Sequence, residues 1–263
     1  MFNNILLKTI YSKRWGTITW SLGLALLVVF TMIFYPTISE SFSQALTDVP
    51  DSLKTFIGDS SAYKTIAGYT DVQIISQYAF MTLIFGIILF SGLLAGEEGD
   101  GTLQALLVQP VKRTKVYLEK FVSASLLLAA ASISISAGVY IGVLIIGEQI
   151  DIGRLAEATL ALWLITLVFS ALAYMLGAMT GRRGLAGGLA GALAFVSLLV
   201  TSLASSVKVL EIADKLSPFH YFNNPGILRF GPRWGDLAIL ALVTLLMLWL
   251  GAWFFKRRDI YQR

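Results

Sequence analysis

The residues able to do chemistry are few in this chain, and they lie outside its long apolar runs. There is one histidine, His220, and no cysteine, which excludes a disulfide framework, a thiolate metal site and a thiol nucleophile. His220 stands in the run Ser217-Pro218-Phe219-His220-Tyr221-Phe222. With no second histidine or cysteine to share a metal, a structural place in a re-entrant or interfacial turn is the better reading of Pro218, Phe219, His220 and Tyr221. No G-x-x-x-x-G-K-S/T pattern occurs, and the glycine-rich pieces Gly96 to Gly101 and Gly184 to Gly191 lack the lysine that reaches phosphates. The chain is thus expected to bind neither metal nor nucleotide cofactor. No acid–base pair or nucleophile falls inside an apolar run, which argues against a membrane-embedded enzyme.

The composition explains this scarcity. Of 263 residues 56% are hydrophobic and 14% charged, where a soluble domain carries roughly a quarter charged residues. Mean hydropathy is +0.74, so the expected solvent is lipid. The net charge of +4 does not mark a nucleic-acid binder, because the basic residues form short clusters beside apolar runs instead of one stripe.

A bilayer core of about 30 Å takes roughly 20 apolar residues in a helix, and six stretches qualify: about 16–36, 74–95, 117–146, 156–180, 184–207 and 236–255. The fold class expected is therefore an all-α membrane protein, a single transmembrane domain over 1–263, with both termini on one side. Lys8, Lys13, Arg14, Lys112, Arg113, Lys115, Lys120, Arg182, Arg183, Lys256, Arg257, Arg258 and Arg263 share that side, thirteen of the 20 basic residues. The positive-inside rule makes it cytoplasmic, in an inner membrane. The first span is too long for a signal peptide and lacks a small-residue cleavage site. Residues 1–15, with Phe2, Ile5, Leu6, Thr9 and Ile10 at helical spacing, read as an amphipathic helix lying on the inner surface or as an ordinary frayed terminus. The far loop, about 37–73, contains an apolar stretch at Leu53 to Ile57 that suits a short surface helix.

Every charged residue can be assigned to a terminus, a loop or a span end. Ion-coupled carriers usually keep an ionisable group near the midplane, so the driving energy is expected from outside the bilayer, although sodium coupling through hydroxyls and carbonyls stays open. Ser125, Ser132 and Ser136 share a face of the third span. In the fifth, Gly184, Gly188 and Ala192 recur every four residues beside Gly187 and Gly191. Small residues at this spacing let helices approach closely in lipid, either within the chain or at a dimer or pathway face.

The loop at 96–115 is the most distinctive segment. Asp100 or Thr102 can cap a helix whose Leu103, Leu106 and Leu107 share one face, and Pro110 would end it. Such a face requires cover, from a partner, from lipid, or from the underside of the bundle.

This loop resembles the signature of type-2 ABC transporter permeases: an acidic pair, Gly-Thr-Leu, two leucines, Pro-Val, a basic residue and a lysine before the third span. Here these are Glu97, Glu98, Gly101, Thr102, Leu103, Leu106, Leu107, Pro110, Val111, Arg113 and Lys120. Gln104 departs from the pattern, standing where the family often has a glutamate, which puts one salt bridge in doubt. The six-span topology and the segment 217–222 also agree with the family. The resemblance implies an exporter of two permease copies and two ATPase subunits working by alternating access, with the loop helix docked on the ATPase as a coupling helix. Glu97, Glu98 and Arg113 would touch that partner or fix the loop, spans two and five would border the pathway, and ATP and magnesium would bind in the partner. The alternatives are an ion-coupled carrier and a non-transport membrane scaffold.

Overall fold

The structure is a computed structural model that describes residues 4–45, 63–108, 111–204, 208–222 and 226–258. Among these no strand occurs, and six helices are long and apolar enough to cross a membrane: Ile5–Ile33, Ile66–Gly99, Arg113–Ile146, Ile152–Thr180, Arg183–Ala204 and Trp234–Arg257, here spans one to six. The expected all-α membrane fold is present. The surface helix expected at Leu53 to Ile57 lies outside the described residues.

Spans two and four form the buried centre, whereas spans one, five and six turn most of their apolar surface outward. In lipid, outward leucines carry no penalty, so contact between helices is decided by shape. Glycine gives that shape at two seams. On span two, Gly86 lies directly against Ser170 of span four. On span three, Gly138 and Gly142, one helical turn apart, receive span one. A Cβ on Gly138 would sit 2.8 Å from the Ala25 carbonyl oxygen and 3.1 Å from Val28 Cβ. Ser123 of span three also donates to the Leu6 carbonyl at 3.1 Å, so the two helices run parallel and in contact along most of their length.

That pairing corrects the expected start of the chain. Span one is one unbroken helix of 29 residues, roughly 43 Å at 1.5 Å per residue. Asn4 caps it, accepting from the Leu6 N–H at 3.0 Å, and no turn separates a surface helix from a span at residue 15. The N-terminal turns exceed the bilayer core and are held by span three.

Span two also begins earlier than hydropathy suggests, at Ile66, capped by Thr65. It contains two π-helical stretches, Thr70–Ile75 and Gly92–Gly96, wider turns of a kind frequent at functional positions. The first presents Asp71, expected in a loop but in fact buried. Its carboxylate accepts from the backbone N–H groups of Leu228 at 3.1 Å and Arg229 at 3.3 Å. It thereby caps the short helix Ile227–Phe230 and ties the connection before span six to span two.

The basic residues at the starts of spans one and three, the turn between spans four and five, and the end of span six gather at one end of the bundle, called the basic end below.

Candidate functional site

At the basic end, the second π-helical stretch of span two passes straight into Glu97–Gly99, a turn at Asp100 and Gly101, and a short helix, Thr102–Leu107. Neither expected cap is used. Gly101 takes the cap position with φ of +73°, in the left-handed region that glycine enters without strain. The Thr102 hydroxyl instead donates back to the Glu97 carbonyl at 3.2 Å.

The apolar face of this helix turns inward. Leu103 is 0% exposed and joins a core cluster with Phe90, Tyr117, Tyr174 and Phe255, and Leu106 packs partly against the same cluster. Of the three covers open to this face, Leu103 takes the underside of the bundle, so at that residue no outside partner is needed. Leu107 ends the helix; its side chain, like all of Pro110, lies outside the described residues. What the helix shows to solvent is Gly101, Thr102, Ala105 and, 87% exposed, Val108.

Two ion pairs fix the loop. Glu97 pairs with Lys120 of span three, whose side chain is 2% exposed and whose ammonium also donates to the Leu93 carbonyl at 3.1 Å. A lysine so buried requires a carboxylate partner and an acceptor to offset its desolvation. Glu98 pairs with Arg258 at the end of span six. The other guanidinium nitrogen of Arg258 donates to the carbonyls of Ala178 at 2.9 Å and Gly177 at 3.4 Å, in the last turn of span four. Arg113, opening span three, donates to the Arg258 carbonyl oxygen at 2.9 Å. The acidic pair and Arg113 therefore meet within the chain, together with Lys120.

The turn between spans four and five closes over this cluster. Gly181 ends span four with φ of +64°, and a Cβ there would stand 2.7 Å from a Glu98 carboxylate oxygen and 2.6 Å from an Arg258 nitrogen. Glycine is required twice over, for backbone sign and for clearance. Arg183 then lays its side chain across Gly92 and Gly96 of span two.

The glycines of span five divide. Gly187 faces Ser91 of span two, where a Cβ would lie 3.4 Å from the hydroxyl, whereas Gly184, Gly188 and Gly191 have open space beside them. Packing inside the chain is carried by Ala186, Ala190 and Ala194, all fully buried. The small-residue stripe chosen from sequence is therefore mostly an outward surface.

Toward the opposite end, Ser132, Ser136 and Tyr140 of span three face Thr159 and Trp163 of span four across a lateral groove of about 680 Å³. Ser136 and Thr159 are hydrogen-bonded, and Trp163 donates to the Ser125 backbone carbonyl at 3.1 Å; of the three serines expected on one face of span three, Ser132 and Ser136 line this groove. The short helix Pro218–Phe222 roofs a cavity of about 300 Å³ among spans four, five and six. Phe219 is buried and stacks on Phe169 at 5.4 Å between ring centres. The Tyr221 hydroxyl donates to the Lys215 carbonyl at 2.9 Å. His220 is exposed and hydrogen-bonds Asp214 at 2.6 Å.

Residues missed from sequence are Arg258, read only as a topological charge, together with Asp71, Gly138 and Gly142. Gly138 and Gly142 carry the small-x-x-x-small signal and could have been found from it. Arg258 carries no local signal.

A helix bundle of six spans, with a short helix clamped beneath it by paired charges, defines an all-α membrane domain. Residues 4–260 match the family described as ABC-2 family transporter protein, and the chain belongs to that family. Two relatives are each named "Probable ABC transporter permease protein NosY". The one from Pseudomonas aeruginosa is 28% identical over 169 residues, 62% of this chain and 58% of the relative. The one from Stutzerimonas stutzeri is 28% identical over 170 residues with the same coverage. The chain thus spans somewhat over half the length of these relatives.

Proposed function

We propose that this chain is the membrane-spanning permease subunit of an ATP-binding cassette exporter, with both termini cytoplasmic and ATP hydrolysis in a separate subunit. The observation that carries this reading is the helix Thr102–Leu107: anchored inward by Leu103, tied by Glu97 to Lys120 and by Glu98 to Arg258, it leaves Thr102, Ala105 and Val108 facing outward. A two-turn helix braced on its inner side and bare on its outer side is suited to receive a push and pass it on. The basic clusters at the same end support a cytoplasmic orientation. ATP and magnesium then belong to the partner, and a second permease copy completes the pathway. The open face of span five at Gly184, Gly188 and Gly191 is suited to close helix approach with that copy. The pathway is apolar with scattered hydroxyls, which favours amphipathic cargo.

The test is to coexpress the chain with the ATPase encoded nearest to it, purify through a tag on the permease, and measure ATP hydrolysis in lipid nanodiscs. Stable copurification, lost in Val108→Asp while the spans stay folded, is the expected result. Absence of association with any candidate ATPase, or gradient-driven uptake by the purified chain alone, contradicts the proposal.

A further inference from the structure

We infer that Arg258 is the positioning residue that joins the coupling helix to the end of span four, so that the loop and the turn between spans four and five move as one body. This rests on reading the loop as the contact for an ATPase. Arg258 is held at both terminal guanidinium nitrogens and at its backbone carbonyl. One guanidinium nitrogen meets Glu98 and the other meets the Ala178 and Gly177 carbonyls, while its own carbonyl accepts from Arg113. One residue therefore connects the loop, the ends of spans four and six, and the start of span three.

The chemistry suits arginine and no other residue. Carbonyls in the last turn of a helix carry partial negative charge and favour a cation, and a planar fork reaches these and a carboxylate at once, which a lysine ammonium does not do in the same geometry. The side chains of Glu98 and Arg258 are each 19% exposed, so the pair is less screened than a surface ion pair. Its neighbour Arg257 is different: exposed, with its guanidinium over Trp253 at 3.9 Å, it anchors the span end without touching the loop. Gly181 leaves room for the pair where any side chain would displace it.

The chain has no native cysteine, so nitroxide labels can be placed at Asp100→Cys in the loop turn and Thr180→Cys, both exposed, and their distance distribution measured by electron paramagnetic resonance in nanodiscs. The wild-type background is expected to give one narrow distance. Arg258→Ala broadens it roughly twofold, as expected when a local brace is released, and Arg258→Lys restores it only in part. In the complex with the ATPase, trapping with ATP leaves the wild-type distance unshifted and moves it in Arg258→Ala, a response that a purely structural role does not produce. Should Arg258→Ala fail to fold, Glu98→Gln removes the same bond from the loop side and is expected to broaden the distance likewise. A distribution unchanged by these substitutions overturns the inference. If the wild-type chain binds no ATPase while Arg258→Ala still broadens the distance, the proposed function is overturned and the joint stands.

Discussion

Replacing Gly138 by alanine tests whether the seam between spans one and three has the closeness seen here. The new Cβ would lie 2.8 Å from the Ala25 carbonyl oxygen, 3.2 Å from Ala25 Cα and 3.1 Å from Val28 Cβ. Carbon pairs prefer about 3.5–4.0 Å, and two of these three atoms are backbone, so no rotamer change relieves the contact. The helices must separate by several tenths of an ångström, at an overpacking cost of about 1–3 kcal/mol. Any Gly→Ala change in a helix also gains roughly 0.5–1 kcal/mol of propensity. Gly23→Ala, on span one with nothing within 4 Å, measures that gain alone. Unfolding titrations in mixed micelles, followed by tryptophan fluorescence and circular dichroism, should place Gly138→Ala about 1–3 kcal/mol below Gly23→Ala. Equal stability of the two variants would refute the packing argument and detach span one from span three.

Leu103→Ala empties a fully buried site beneath the helix Thr102–Leu107 and is expected to lower unfolding stability by about 2–5 kcal/mol in the same titration, whereas Val108→Ala leaves it unchanged. Glu97→Gln strands the Lys120 ammonium in the core and is expected to cost up to about 3 kcal/mol; adding Lys120→Met to it recovers most of the loss, and a double variant no better than the single one contradicts the ion-pair account. Asp71→Ala leaves the buried N–H of Leu228 without its acceptor and that of Arg229 with the Gly226 carbonyl alone, at about 1–3 kcal/mol in all, and hydrogen exchange should rise at residues 227–230 before it rises in the spans.

The six spans were legible because lipid imposes length and apolarity on each helix independently of its neighbours. The corrections arise where the answer depends on a neighbour. Leucine spacing at 103, 106 and 107 marks an apolar face but not its cover, and the structure covers it with Phe90, Tyr117 and Phe255. Small residues on span five marked close packing, yet Ala186, Ala190 and Ala194 carry it while Gly184, Gly188 and Gly191 stay open. Positive-inside counting treats every arginine alike, so it placed Arg258 at an end of the bundle without finding Glu98, distant in sequence and adjacent in space. The N-terminal turns are amphipathic by pattern, but the surface that receives one side of them is span three, through Ser123. Asp71 read as a loop acid because the helix it caps lies more than 150 residues further on.

The central claim, that the outward side of Thr102–Leu107 meets an ATPase, is tested most directly by cross-linking from a single introduced cysteine. Val108→Cys, in membranes containing this chain and its neighbouring ATPase, is expected to give one adduct of the combined mass with a photoactivatable maleimide. Trp253→Cys, on the outward face of span six, is expected to give none. An adduct from Trp253→Cys alone, or none from Val108→Cys while the two chains copurify, would contradict the account.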